Sequence, residues 1–315
     1  MPLIDLHQDL LCHINNRDFF VKDHWQTNFE MIKKSGLNLV VATAFPVPPG
    51  ENYFDPISNQ IIEDEFIAYA KKAQTDSTWT LIKTATDVDR VLKSDATTGL
   101  LLHIEGLNVV DRQSWEQLEH WYEIGWRSLG IVWNLTNPLG GGTKDPIQGL
   151  TSFGADVIEW CKEKRMVIDF AHMNGPTFRD VAKMIDRPIY ISHGNCRALC
   201  DNPRNYSDDQ LRMVAESNGV IGIFFAKTFI TGKDKPGNMS HVIAHLDHLI
   251  KTIGEDHIAL GTDFGGIISG FIEGLDTLDK LPDFFSALRA HGYSETRLEK
   301  LSYKNAARVL KAQLA

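Results

Sequence analysis

IDLHQDLL, residues 4–11, breaks an apolar run with polar groups at every second position: Asp5, His7 and Asp9. On an extended strand alternate side chains share one face, so the three groups project together and need a partner. The triplet His-x-Asp alone decides little. A second copy, His245-Leu246-Asp247, lies inside SHVIAHLDHLIKTIG (240–254), a run of helical period. The first copy differs by its place at the end of a buried strand.

Seven further apolar runs follow PLIDLH (2–7): LNLVVATAF (37–45), GLLLHIE (99–105), RSLGIVW (127–133), MVIDFAH (166–172), PIYISH (188–193), GVIGIFF (219–225) and HIALGTDF (257–264). Helical segments separate them, among them SFGADVIEWCKEK (152–164), SDDQLRMVAESN (207–218) and HVIAHLDHLIKTIG (241–254). Repeated strand-then-helix units indicate a parallel sheet, and eight of them favour an α/β fold of the closed (β/α)8 TIM-type barrel over an open doubly wound sheet. No low-complexity or Pro/Gly-rich linker divides the chain, so residues 1–315 read as one barrel domain.

Composition narrows the partners. A net charge of −9 with scattered Lys and Arg argues against nucleic acid, which calls for a clustered basic face. No run of about 18 apolar residues marks a membrane span, and no basic segment followed by a long apolar stretch opens the chain. Cys12, Cys161, Cys196 and Cys200 lack CxxC spacing, and Cys196 and Cys200 read as helix neighbours rather than a disulfide. The expectation is a cytoplasmic protein with a small-molecule substrate; a homo-oligomer stays open.

Active sites of such barrels gather where the strands end, because the βα loops converge there. The polar residues at those ends are His7 and Asp9 after the first strand, Glu105 after the third, His172 after the fifth, His193 after the sixth and Asp263 after the eighth. Any one of them could be a hydrogen-bonded core histidine or a capping carboxylate. Together they form a set of imidazoles and carboxylates without thiolate, which suits Zn2+ or another borderline divalent ion. Five ligands exceed one tetrahedral site and fit two ions roughly 3.5–4 Å apart, with Glu105 as the bridge, His7 and Asp9 on one ion, His172 and His193 on the other. A hydroxide held between them would serve hydrolysis, with Asp263 as proton carrier or, alternatively, as a further ligand. Asp5 and Asp169 are candidates to orient the histidine rings. Arg197 and Arg204, in SHGNCRALCDNPRNYSDDQL (192–211), are both candidates to hold a substrate carboxylate through paired hydrogen bonds.

The segments LIDLHQDLL, LLHIEGLN, GLTSFGADVIEWCKEKRMVIDFAH, PIYISHGNCRALCDNPRNYSDDQL, GEDHIALGTDFGG and LEKLSYKNAARVL run from end to end of the chain and resemble the membrane (renal) dipeptidases, zinc peptidases of the amidohydrolase-like barrel group. The resemblance implies two zinc ions held by His7, Asp9, Glu105, His172 and His193, an acid/base role for Asp263, and Arg204 rather than Arg197 as the anchor of the substrate carboxylate. It implies cleavage of dipeptides, often with tolerance for a C-terminal D-residue. Animal members carry a secretory signal and a lipid-anchor tail; neither is read here, in line with the cytoplasmic expectation. Three departures fall on the substrate side. Trp133, followed by Asn134, replaces a histidine that contacts the substrate carbonyl; Gly265 stands in DFGG where a second acid is usual; and Phe229 replaces a tyrosine near the substrate carboxylate. Trp133 and Asn134 are therefore candidate substrate-binding residues. The competing reading is a related barrel amidohydrolase acting on an N-acyl amino acid or a cyclic amide, and a non-catalytic barrel is a third.

Overall fold

The computed structural model describes residues 1–11, 26–46, 57–267 and 270–315; Cys12 lies outside them. Nine strands run in parallel: β1 (Ile4–Gln8), β2 (Leu39–Ala44), β3 (Trp79–Leu81), β4 (Thr98–Glu105), β5 (Trp126–Gly130), β6 (Val167–Asp169), β7 (Tyr190–Gly194), β8 (Val220–Ile223) and β9 (Ile258–Leu260). Eight of them pair in the order β2-β1-β9-β8-β7-β6-β5-β4, and β2 pairs with β4 to close the ring. This is the (β/α)8 barrel expected from the eight runs.

The ninth strand, β3, stands outside the ring. It pairs with the first residues of β4, Trp79 against Thr98 and Leu81 against Leu100, on the edge that β5 takes over only from Leu102 onward. Three residues are too few for a readable alternation, which is why the sequence does not announce it.

Helices begin at polar caps. Ser207 opens Asp208–Glu216 with reciprocal bonds to Gln210, and the Asn174 side chain accepts from Thr177 N–H at the start of Gly175–Met184, where Pro176 suits the first turn. The two cysteines expected on one helix lie instead in a turn, where Cys200 N–H donates to the Cys196 carbonyl at 3.2 Å. Cys161, Cys196 and Cys200 are all free thiols. No helix among the described residues is long and apolar enough to cross a membrane.

The two ends of the barrel differ in chemistry. Ile4, Leu39, Val167, Tyr190 and Val220, which begin their strands, pack with Ala306, Val309 and Leu310 of the C-terminal helix Asn305–Gln313. That helix therefore closes the N-terminal end of the barrel with apolar side chains. Along β4 the same face passes from Leu101 to His103 to Glu105, so it turns polar towards the C-terminal end.

The second His-x-Asp copy is divided between two environments. On helix Met239–Ile253, His245 is buried while Asp247 faces out to His291 and Tyr293. His245 Nδ1 accepts from Cys196 N–H at 3.1 Å and its Nε2 donates to the Ile230 carbonyl at 3.0 Å, a pattern only the neutral ring can make. Burial lowers its pKa to about 4. The folded value lies below the unfolded one of about 6.5, so this contribution is complete above pH 6.5 and is lost as pH falls towards 4. Urea unfolding at pH 7 and pH 4.5 should show wild type losing on the order of 3 kcal/mol more than His245→Gln, which has no proton to take up. Equal losses would show that His245 does not titrate in this window.

Candidate active site

The predicted ligands come together at the C-terminal end of the barrel. His7 and His193 project from β1 and β7, and Glu105 is the last residue of β4. Asp9 follows β1, its N–H donating to the Phe264 carbonyl at 2.9 Å. His172 and Asp263 sit three residues beyond β6 and β9, and both have left-handed backbone, with φ of 63° and 61°. Such a conformation costs a non-glycine residue about 1–3 kcal/mol and persists only where neighbours enforce it. At Asp263 the enforcement is a bond from its N–H to the His7 carbonyl, 3.1 Å; at His172 it is a bond from Nδ1 to Asn134 Oδ1, 2.9 Å.

Three imidazoles converge on one oxygen. Glu105 Oε1 lies 2.8 Å from His172 Nε2, 3.5 Å from His193 Nε2 and 3.7 Å from His7 Nε2. His7 Nε2 is also 3.5 Å from Asp9 Oδ2 and 3.6 Å from Asp263 Oδ1. All six residues are at least nine-tenths buried. Because Asn134 Oδ1 only accepts, His172 Nδ1 must carry the ring proton. Its Nε2 lone pair then faces both the Glu105 oxygen and His193 Nε2, 3.2 Å away. Lone pair against lone pair in a buried site calls for a cation between them.

The protein charges alone are badly matched. Burial works to lower the His7 imidazole, but Glu105, Asp9 and Asp263 outweigh it and lift its pKa to about 10. Burial would raise Glu105, yet His172 and His7 hold it at about 2. Burial, then Arg204, lowers His172 to about 4, and burial, then His7, drives His193 well down. Burial and the neighbouring Asp9 push Asp263 well above the carboxylate range, and burial also raises Asp9. A divalent cation reverses this pattern by favouring neutral imidazoles and ionised carboxylates. Both Asp9 oxygens and both His7 nitrogens lack hydrogen-bond partners among the described residues, and His7, Glu105 and His193, like His7, Asp9 and Asp263, bring ligand atoms within 4.8 Å of one another. The donor set therefore fits a metal.

The glycines after Asp263 explain one departure from the family pattern. Gly265 has φ of 95°, and a Cβ there would overlap the Asp9 carbonyl oxygen; no acid can stand at this position without moving the backbone at Asp9. A Cβ on Gly266 would overlap Asp9 Oδ2 and lie 2.7 Å from Asp263 Oδ1.

On the substrate side, Trp133 stacks on His172 with ring centres 5.9 Å apart and touches Phe45. Asn134 Oδ1 is engaged by His172 and by Thr143 Oγ1. Arg204 is buried, donates from Nη2 to the His193 carbonyl at 3.1 Å and lies over the Phe224 ring, which Phe229 stacks behind. Its Nε and Nη1 have no hydrogen-bond partner among the described residues. Arg197 is half-buried and donates to the Pro203 carbonyl.

Asp5 does not orient a ligand ring: its carboxylate accepts from Gln8 Nε2 and Thr262 Oγ1, both at 2.6 Å, and ties β1 to the chain after β9. Asp169 Oδ1 accepts from the N–H groups of Ala171 and Ser192. The sequence reading passed over His103, although its place two residues before Glu105 on β4 puts it on the same face.

Gly266→Ala should weaken divalent-metal binding at least about tenfold, because the new methyl displaces the Asp9 and Asp263 carboxylates together. Chelator competition measures this, and unchanged affinity would show that the turn moves aside freely.

The family profile described as membrane dipeptidase (peptidase family M19) matches residues 1–315. A Klebsiella pneumoniae protein described as uncharacterized, in the pqqA 5′ region, is 36% identical over 73% of this chain and 88% of its own length. A solved structure described as dipeptidase AC, a metallopeptidase of family M19, superposes with a TM-score of 0.88 at 25% identity, covering 100% of this chain and 99% of that one. A metallopeptidase from Rhodobacter sphaeroides, solved with a phosphinate mimic of the dipeptide L-Ala-D-Ala, gives 0.88 at 24% identity and 99% coverage of both chains. With its whole length matched and its buried imidazole and carboxylate cluster arranged for a cation, the chain belongs to the membrane dipeptidase family, peptidase family M19, and is as such a metal-dependent hydrolase.

Proposed function

We propose that the chain is a binuclear zinc dipeptidase. The observation that carries this reading is the convergence of the His7, His172 and His193 Nε2 atoms on Glu105 Oε1. Glu105 has a second oxygen to offer, so it would be shared, with His7 and Asp9 holding one ion and His172 and His193 the other. Zinc bound there supplies Lewis acidity and a water of lowered pKa.

The chain's own residues supply the rest. Asp263, next to Asp9 and 3.6 Å from His7, takes the proton of the attacking water on its carboxylate and passes it to the leaving amine. Arg204 meets the free carboxylate of the substrate with Nη1, which no described residue uses, and with the second N–H of the neighbouring Nη2. Trp133 lines the wall beside His172 and, having no imidazole to give the substrate carbonyl, favours substrates with a side chain that packs on an aromatic face. The L-Ala-D-Ala mimic bound to the Rhodobacter protein supports a C-terminal D-residue as an acceptable substrate. Trp133 is also the observation that favours the second reading, an amidohydrolase for N-acyl amino acids or cyclic amides.

Zinc-saturated protein should hold two ions per chain and hydrolyse members of a panel of L,L and L,D dipeptides. Glu105→Gln should impair both sites at once. At most one ion in wild type overturns the binuclear reading, whereas two ions with turnover confined to N-acyl amino acids or cyclic amides selects the second one.

Arg204→Lys tests the anchor. It should lower kcat/KM on dipeptides about tenfold or more while leaving their C-terminal amides nearly unaffected, since the paired bond needs the free acid. Equal losses on both substrates would remove Arg204 from this role.

A further inference from the structure

Two of the three ligand histidines have a partner for Nδ1 on a neighbouring side chain. His172 Nδ1 donates to Asn134 Oδ1 at 2.9 Å, and His193 Nδ1 lies 2.8 Å from Ser192 Oγ. Each contact turns Nε2 towards Glu105. His7 is the exception, because its Nδ1 is fully buried with no hydrogen-bond partner among the described residues.

The space beside the His7 ring is not apolar. His103 Nε2 and Asp169 Oδ2 are buried and equally without a hydrogen bond; they lie 3.6 Å apart, too far to bond well to each other. His7, His103 and Asp169 bring one ligand atom each within 4.8 Å of one another, and the His7 and His103 rings meet edge to face at 5.4 Å. Both partners are fixed from behind, His103 by its Nδ1 contact with Ser128 Oγ at 2.9 Å, and Asp169 by the two backbone N–H groups on its other oxygen.

We propose that His103 and Asp169 are positioning residues that act on His7 through one buried water and hold it as the Nδ1–H tautomer. The hydrogen count closes. His7 Nδ1–H donates to the water, which donates one proton to Asp169 Oδ2 and the other to His103 Nε2, while His103 Nδ1–H donates to Ser128. Three bonds to polar groups are what a buried water ordinarily makes. The Nε2 lone pair of His7 is thereby pointed at the site shared with Asp9, as metal-binding histidines are commonly oriented by the partner of their other nitrogen.

The metal arm of the test rests on the two-ion reading; the tautomer arm does not. In metal-free protein, where against burial the neighbouring carboxylates lift the His7 pKa to about 10, nitrogen NMR of labelled histidine read above that pH should show the neutral His7 ring carrying its proton on Nδ1, and in His103→Gln and Asp169→Asn it should show a mixture. In zinc-loaded protein the same variants should weaken the ion at His7 and Asp9 by about 10–100-fold, leave the ion at His172 and His193 unchanged, and lose no more when combined than the worse single variant. Where Asp169→Asn fails to fold, Ser128→Ala frees the His103 ring while keeping imidazole and carboxylate, and should give the same mixture. An unchanged His7 tautomer in the folded variants, or equal weakening of both ions in step with the melting temperature of the metal-free protein, would overturn the proposal.

Discussion

The open end of the barrel is organised around one carboxylate oxygen, Glu105 Oε1, which three imidazoles approach at 2.8, 3.5 and 3.7 Å with their Nε2 atoms. Bringing Asp9 and Asp263 into the same buried volume sets like charges together at a cost that burial magnifies. The cluster is tolerable because its groups arrive on rigid strands and because a cation satisfies them collectively. Remove the cation and the groups disagree about where the protons belong, as the opposite shifts of His7 and His172 show.

Backbone strain follows from the same demand. β6 and β9 are only three residues long, and their catalytic-end side chains are delivered by the residues beyond them, in left-handed conformations at His172 and Asp263. Regular strand geometry would point these side chains along the alternating pleat; the turned backbone redirects them to the shared oxygen and the shared carboxylate. The tight turn through Gly265 and Gly266 belongs to this device, since it passes too near Asp9 to carry side chains.

Much of this was legible in the residues. Each of the eight apolar runs covers most of a barrel strand, and the polar residues at their ends meet in space, because strand alternation and chain direction are local properties. Three features escaped for physical reasons. β3 is too short to show a period. Asp5 has the right spacing to face the ligands, but an irregular register in β1 and the Thr262 hydroxyl take it elsewhere. His103 was hidden by its company, a histidine in the apolar run LLHIE that reads as core until Asp169 and Ser128 are seen beside it from other strands. Long-range partners of that kind have no signature in the segment that needs them.

The C-terminal helix gives the barrel a floor. Ala306, Val309 and Leu310 seal the strand starts with apolar packing, and Tyr190 adds a bond from its hydroxyl to the Leu6 carbonyl inside the wall. Among the described residues, that end of the barrel offers no way through. Whatever is cleaved at Glu105 must leave through the opening by which it came, against the inward traffic of fresh molecules, so exit and entry share one passage and occupancy by a departing fragment shuts out its successor.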